Sequence, residues 1–196
     1  MIVTGIGARK TPAAVLLDMT RIGAWCREHK VPLRSGHADG ADWAFEQGAQ
    51  ELCIAYLPWR GFNKHLKSAA RTPVCEQPEA VAALVREFHP APERLSAGVR
   101  KLHGRNMFQV LGSRLNQPSS AVVCWTPDGR VVGGTATAIK LALAHGIPVY
   151  NLASVSYGEV RVRLDAARRG VEVRACDLPP QPGDESLVGD SGETPR

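Results

Sequence analysis

The residues best suited to chemistry in this chain fall into short clusters, most of them following an apolar run. The richest is RSGHADGADWAFEQGA, from Arg34 to Ala49. An apolar lead-in breaks at Ser35 and Gly36, and a helical pattern begins within a few residues. A strand that feeds directly into a helix leaves backbone N–H groups unpaired at the helix start. Those groups, with the positive end of the helix dipole, suit phosphate or another anion. Gly36 and Gly40 allow close approach to the backbone. Two readings stand together: a phosphate site, or a tight turn packed for its own sake. Asp39 and Asp42 divide the same way. Acids suit the first turn of a helix, and a carboxylate beside a phosphate site can hydrogen-bond a ribose.

Other clusters have related chemistry. In GIGARKTP, Gly5 and Gly7 permit a sharp exit from a strand, and Arg9 and Lys10 bring positive charge into the turn. In PWRGFN, Trp59 and Phe62 flank Arg60-Gly61, with Asn63 next. Aromatic side chains at a strand's end either stack on a base or cap the core. HGRN offers His103, Arg105 and Asn106 at the start of an apolar helical pattern, where a solitary histidine more often serves structure than catalysis. Thr126 follows the strand-like AVVCW, ahead of the turn signal Pro127-Asp128-Gly129. In GGTATAIKLALAHG, Gly133 and Gly134 free the backbone, and Thr135 or Thr137 can cap a helix or donate a hydroxyl.

Positioning these clusters requires alternating elements. Apolar runs at 1–5, 31–35, 52–57, 121–125 and 147–152 read as buried strands. Thr11-Pro12 reads as an N-cap with proline at the first helical position of a helix running to about Glu28. Val15, Leu16, Met19, Ile22 and Cys26 form its apolar face. In the next helix Trp43, Ala44 and Gly48 pack inward, with Asp42 and Glu46 paired on another face. Helices are expected at 79–88, 93–102, from 107, at 133–146 and at 157–168, and an edge strand at 171–175. The pattern predicts an α/β fold: a Rossmann-like, doubly wound, mainly parallel sheet with helices on both faces. Ligands of such sheets bind beyond the C-terminal strand ends, where these clusters converge.

A chain of 196 residues makes one well-buried core, here assigned to residues 1–176. Residues 177–196 hold Asp177, Asp184, Glu185, Asp190 and Glu193 against Arg196, amid proline and glycine, and read as a disordered acidic tail. The whole chain carries +5, so the body is more basic still and tolerates polyanionic partners. The five cysteines are scattered without CxxC spacing, which argues against zinc and disulfides. Cys53 and Cys124 read as small buried hydrophobes. No metal or cofactor is expected. No apolar run approaches the ~18 residues that span a bilayer, and the N-terminus lacks a leader pattern. A cytoplasmic protein without membrane contact is the expectation.

GIGAR, SGHADGADWAFEQGA, Arg105-Asn106 and GGTATAIKLALAHGIPVYNL together resemble the DNA-processing protein A (DprA)-like branch of the SLOG superfamily of Rossmann-like proteins, over roughly residues 1–152. PWRGFN, HGRN, CWTPDG and GGTA resemble its small stand-alone members carried by phages and mobile elements. The resemblance implies a pocket for nucleotides, with phosphate contacts from Arg9, Ser35, Gly36 and Arg105. It also implies pairing of the chain into a homo-oligomer. DNA-processing protein A itself binds single-stranded DNA and helps load a recombinase, and other SLOG domains sense nucleotide second messengers in antiviral defence. The "lonely guy" phosphoribohydrolases of the same superfamily use a PGGxGTxxE motif, and alignment on Gly133-Gly134 puts Lys140 at its catalytic glutamate. A lysine cannot supply that carboxylate's charge or acid–base role.

Three functions follow as expectations. The first is a sensor or sequestering protein for a nucleotide or nucleotide-derived signal, cyclic or of ADP-ribose type, in the contest between phage and host. The second is single-stranded DNA binding, motivated by Arg60, Lys64, Lys67 and Arg71 on the basic body. The third is hydrolysis of a nucleotide's N-glycosidic bond, with Asp42 or Glu46 as the acid. A ligand-holding protein ranks above an enzyme, since no complete catalytic set is present.

Overall fold

A computed structural model describes residues 1–64, 73–75, 78–173 and 177–178. The strands are β1 (Val3–Gly7), β2 (Leu33–Ser35), β3 (Cys53–Ala55), β4 (Ala121–Trp125) and β5 (Val149–Asn151). Successive residues of the four strands other than the last are mostly buried, so both faces of those strands are covered, as in a parallel sheet sandwiched by helices. They lie in the order β3-β2-β1-β4-β5, and every pairing is parallel. Val3 is matched with Leu33 on one side and Ala121 on the other.

Helices cover both faces. On one lie α1 (Ala13–Glu28), α2 (Ala41–Ala49) and α6 (Tyr157–Arg169), packed through Met19, Ile22, Phe45 and Leu164 on Val3, Leu33 and Val123. On the other lie α3 (Pro78–Phe88), α4 (Ala97–Leu111) and α5 (Ala136–Ala144), whose Val85, Met107 and Leu141 meet Ile6, Val122 and Cys124. The result is a single α/β domain of Rossmann-like type. Cys53 and Cys124 are buried, as expected of small hydrophobes. Among the described residues no helix is long and apolar enough to cross a membrane.

Several local expectations are corrected. HGRN does not start a helix: α4 runs unbroken through it from an N-cap at Ser96, whose Oγ accepts from Val99 N at 3.4 Å. Gly104 is tolerated inside α4 because α3 presses on it there, leaving a Cβ only 2.6 Å from Val81 Cγ1. Thr11 does not cap α1, since its hydroxyl donates to Ala8 O at 2.7 Å. Trp43 is 48% exposed, because Asp42, Phe45 and Ala49 take the inward positions of α2. Gly133–Thr135 form a 3-10 turn ahead of α5, and no side chain caps that helix. Residues 171–173 are not a strand, and positions 174 and 175 of that expectation lie outside the described residues, as does the tail from 179.

The closest helix contact is α1 on α2. A Cβ on Gly48 would stand 2.0 Å from Thr20 O, and one on Gly23 would stand 2.4 Å from Phe45 O. The neighbours are backbone and cannot yield. Gly48→Ala is therefore expected to destabilise the fold by about 1–3 kcal/mol, the usual cost of overpacking. It should show as a lower urea midpoint at unchanged slope. Gly98→Ala, on the open side of α4 with nothing within 4 Å, should instead stabilise by roughly 0.5–1 kcal/mol through helix propensity.

Candidate functional site

β1 and β4 are adjacent, yet the chain leaves them toward opposite faces of the sheet, into α1 and α5. Such a reversal opens a crevice at the strands' carboxyl ends. A cavity of about 520 Å³ lies there. Gly7, Arg9 and Lys10 line it from the β1 exit, Thr126 from the β4 exit, Gly133, Gly134 and Thr135 from the entry to α5, and His103, Arg105 and Asn106 from α4. Half of the twenty candidate residues thus meet in one hollow. Apolar walls come from Ile6, Ala38, Val99, Leu102 and Val132.

Arg9 and Lys10 are exposed, and neither is in a salt bridge among the described residues. Asn106 is buried, and its Nδ2 donates to Gly134 O at 2.9 Å, tying α4 to the glycine turn. Its Oδ1 is buried with no hydrogen-bond partner among the described residues. Thr126 Oγ1 accepts from Asn151 Nδ2 at 2.6 Å, so β5 orients the β4 exit. His103 Nδ1 lies 2.9 Å from Thr137 Oγ1, and its ring meets His89 edge-on at 4.7 Å. Burial, then the charges of His89 and Arg105, push the His103 pKa down to about 4. His103 is thus neutral near pH 7 and presents no charge to the cavity.

The stretch after β2 has a different job. Arg105 is buried and donates to Asp42 Oδ2 at 2.8 Å, while Ala38 N donates to the same oxygen at 3.3 Å. Burial raises the Asp42 pKa, and the Arg105 guanidinium opposes that rise. Gly36 is required by this pair, because a Cβ there would sit 1.4 Å from Arg105 Nη1. Glu46 accepts from His37 N at 2.8 Å through Oε1 and lies 2.7 Å from His37 Nδ1 through Oε2. Ala41 N donates to Ala8 O at 3.4 Å. Three amides of the loop are therefore bound by the chain's own oxygens, not held open for an external anion.

The remaining candidates are placed as follows. Gly5 is interior and faces the Phe45 ring. Ser35 is fully buried, its hydroxyl donating to Asp42 O at 3.1 Å. Gly40, with φ +81°, packs on the Arg9 backbone, where a Cβ would be 2.5 Å from Arg9 O. Asp39 accepts from Asn63 Nδ2 at 2.9 Å, and the same amide donates to His37 O at 3.2 Å, pinning one loop to the other. Phe62 is buried against Ala38, Leu57 and Leu102. Trp59 and Arg60 border a separate hollow on the other side of α4. Lys140 is exposed on α5 and does not line the cavity. His65, Lys67 and Arg71 lie outside the described residues.

Val99 and Leu102 were missed because the sequence pattern was split at HGRN; positions 99, 102, 103 and 106 are one helical face once α4 is continuous. Among the described residues no three His, Cys, Asp or Glu side chains gather to hold a metal.

Asp42→Ala should cost about 3–5 kcal/mol, because it leaves a buried guanidinium unpaired. Adding Arg105→Met should restore much of that loss in chemical denaturation. Hydrogen bonding to Glu46 is the largest influence on His37 and raises its pKa above 6.5. The stabilisation this brings is complete below pH 6.5 and is lost as pH rises through the raised folded-state value. An NMR titration should place the His37 ring above the ordinary imidazole value of 6.5, and Glu46→Gln should bring it back down.

No family model matches the chain, and no curated protein matches it. Among solved structures it is similar to DNA processing protein A from Helicobacter pylori, described for its single-stranded DNA binding mode. The identity is 15% and the TM-score 0.50, over 77% of this chain and 64% of that one. This chain therefore spans less than two thirds of that protein's length. At such identity the likeness is one of fold, and it agrees with the sheet and helices described above.

Proposed function

We propose that the cavity at the β1–β4 reversal binds the phosphate end of a nucleotide or nucleotide-derived molecule and holds it without cleaving it. The observation that carries this reading is the meeting of two exposed cations, Arg9 and Lys10, with the Gly133-Gly134 turn across one hollow. A volume of about 520 Å³ suits a ligand of nucleotide size. The carboxylates of Asp42 and Glu46 do not line the cavity and are bonded to Arg105 and His37. In this role the protein acts as a sensor of the signal or removes it from solution, as the phage-borne proteins it resembles suggest.

Calorimetry against mono-, di- and cyclic nucleotides and ADP-ribose should find a ligand. Arg9→Gln with Lys10→Gln should weaken binding at least tenfold with no loss of thermal stability, since both side chains are exposed. Absence of heat with every nucleotide would refute the proposal.

Single-stranded DNA binding is the second reading. It is favoured by the Helicobacter pylori protein's described binding mode and by the basic balance of this chain. It requires binding of oligonucleotides that weakens steeply with salt, and competition by oligonucleotide for the same Arg9 and Lys10.

A further inference from the structure

α4 has a cavity on each side. On the side away from Asn106, its Gly104 and Phe108 join Val81 and Val85 of α3 to floor a second hollow of about 450 Å³. Trp59 stands in its wall, 37% exposed and held edge-to-face by buried Phe62 at 5.0 Å. Arg60, Arg100 and Lys101 are exposed at its margin, and Arg105 borders it from within. Among the described residues no acidic side chain lines it. Arg60 and Lys101 are in no salt bridge among the described residues, and Arg100 donates to a neutral acceptor, Leu95 O, at 3.0 Å.

An apolar floor left open to water is unfavourable. Gathering three like charges around it adds repulsion. Both penalties are relieved by an occupant that is flat and apolar on its faces and negatively charged beside its ring. A nucleobase carrying its phosphate has that form, and base stacking on an aromatic side chain tolerates any base.

We propose that this second hollow is a nucleobase site, in which a base packs against Trp59 above Val81, Val85 and Phe108 while its phosphate lies against Arg60, Arg100 and Lys101. The site uses side chains other than Arg9, Lys10 and the Gly133-Gly134 turn, so it stands or falls apart from the first cavity. A free nucleotide and a unit of a single strand present the same chemistry.

The test is tryptophan fluorescence titrated with thymidine monophosphate and, separately, with a short oligothymidylate. Quenching is expected, and Trp59→Leu should remove it. The exposed triple variant Arg60→Gln, Arg100→Gln, Lys101→Gln should weaken binding at least tenfold. For the oligomer it should also lower the slope of log affinity against log salt by about 2, at ~0.7 per phosphate contact on a single strand. Arg9→Gln with Lys10→Gln should leave this quenching in place. Much tighter binding of the oligomer assigns a strand, and equal binding assigns a free nucleotide. The proposal is overturned by an absence of quenching with both probes, or by quenching that survives both Trp59→Leu and the triple variant. It also fails if anionic lipid vesicles bind at this face and neither nucleotide does.

Discussion

The buried ion pair between Arg105 and Asp42 is the constraint on which the site depends. α2 and α4 cover opposite faces of the sheet, and nothing in ordinary helix packing fixes one against the other. The guanidinium crosses the carboxyl edge of β2, over a glycine, and meets the carboxylate at 2.8 Å. Two charges removed from water are costly to hold and more costly to separate. Among the described residues Asp42 Oδ1 and Arg105 Nε find no hydrogen-bond partner, so the pair is not fully satisfied there. Its value is therefore positional: it sets the height of α4 at the sheet's edge, one residue before Asn106 reaches Gly134.

The same edge shows how charge is divided. Both carboxylates of α2 turn back on the protein, Asp42 toward Arg105 and Ala38, Glu46 toward His37. His37 adopts φ +57°, a conformation uncommon outside glycine, and its two contacts with Glu46 hold it there. Acidic groups are thereby withdrawn from the crevice, and His103 stays neutral. Arg9 and Lys10 supply the positive field of a hollow with apolar walls.

The five strands were legible because Val, Ile and Leu runs bounded by Gly and Pro leave few alternatives. Their spatial order was not, since chain order says nothing of which neighbour a strand takes, and the reversal beside β1 exists only in three dimensions. Arg9 and Gly134 were legible as polar or glycine residues after strands, Arg105 and Asn106 as polar residues ahead of an apolar helical pattern, and the four do share one hollow. Ser35, Gly36 and Asp42 were legible as special but not in their role. A Ser-Gly turn before a helix looks the same whether an outside anion or an internal carboxylate takes its amides. The polar run HGRN likewise misled, because it was placed between two helices, whereas α4 is continuous through it and Gly104 serves the close approach of α3. Trp43 failed for a related reason, because an inward aspartate becomes favourable only when a partner from a distant helix reaches it.

The β2–α2 unit is better understood as the anchor of α4 than as the ligand site itself. Arg34, in the strand, is 2% exposed and donates to Gln117 O at 2.6 Å and to Val110 O at 3.4 Å, beside the C-terminus of α4. A cation there suits the negative end of the helix dipole. A Cβ on Gly112 would stand 2.7 Å from Arg34 Nη2, so a glycine makes room for this arginine as Gly36 does for Arg105. One helix is thus gripped twice from the same strand–helix unit, at its middle through Asp42 and at its end through Arg34. A helix held at two points cannot slide or pivot freely. A helix with a cavity on each side must hold still if both cavities are to keep their shape, because any shift that widens one narrows the other.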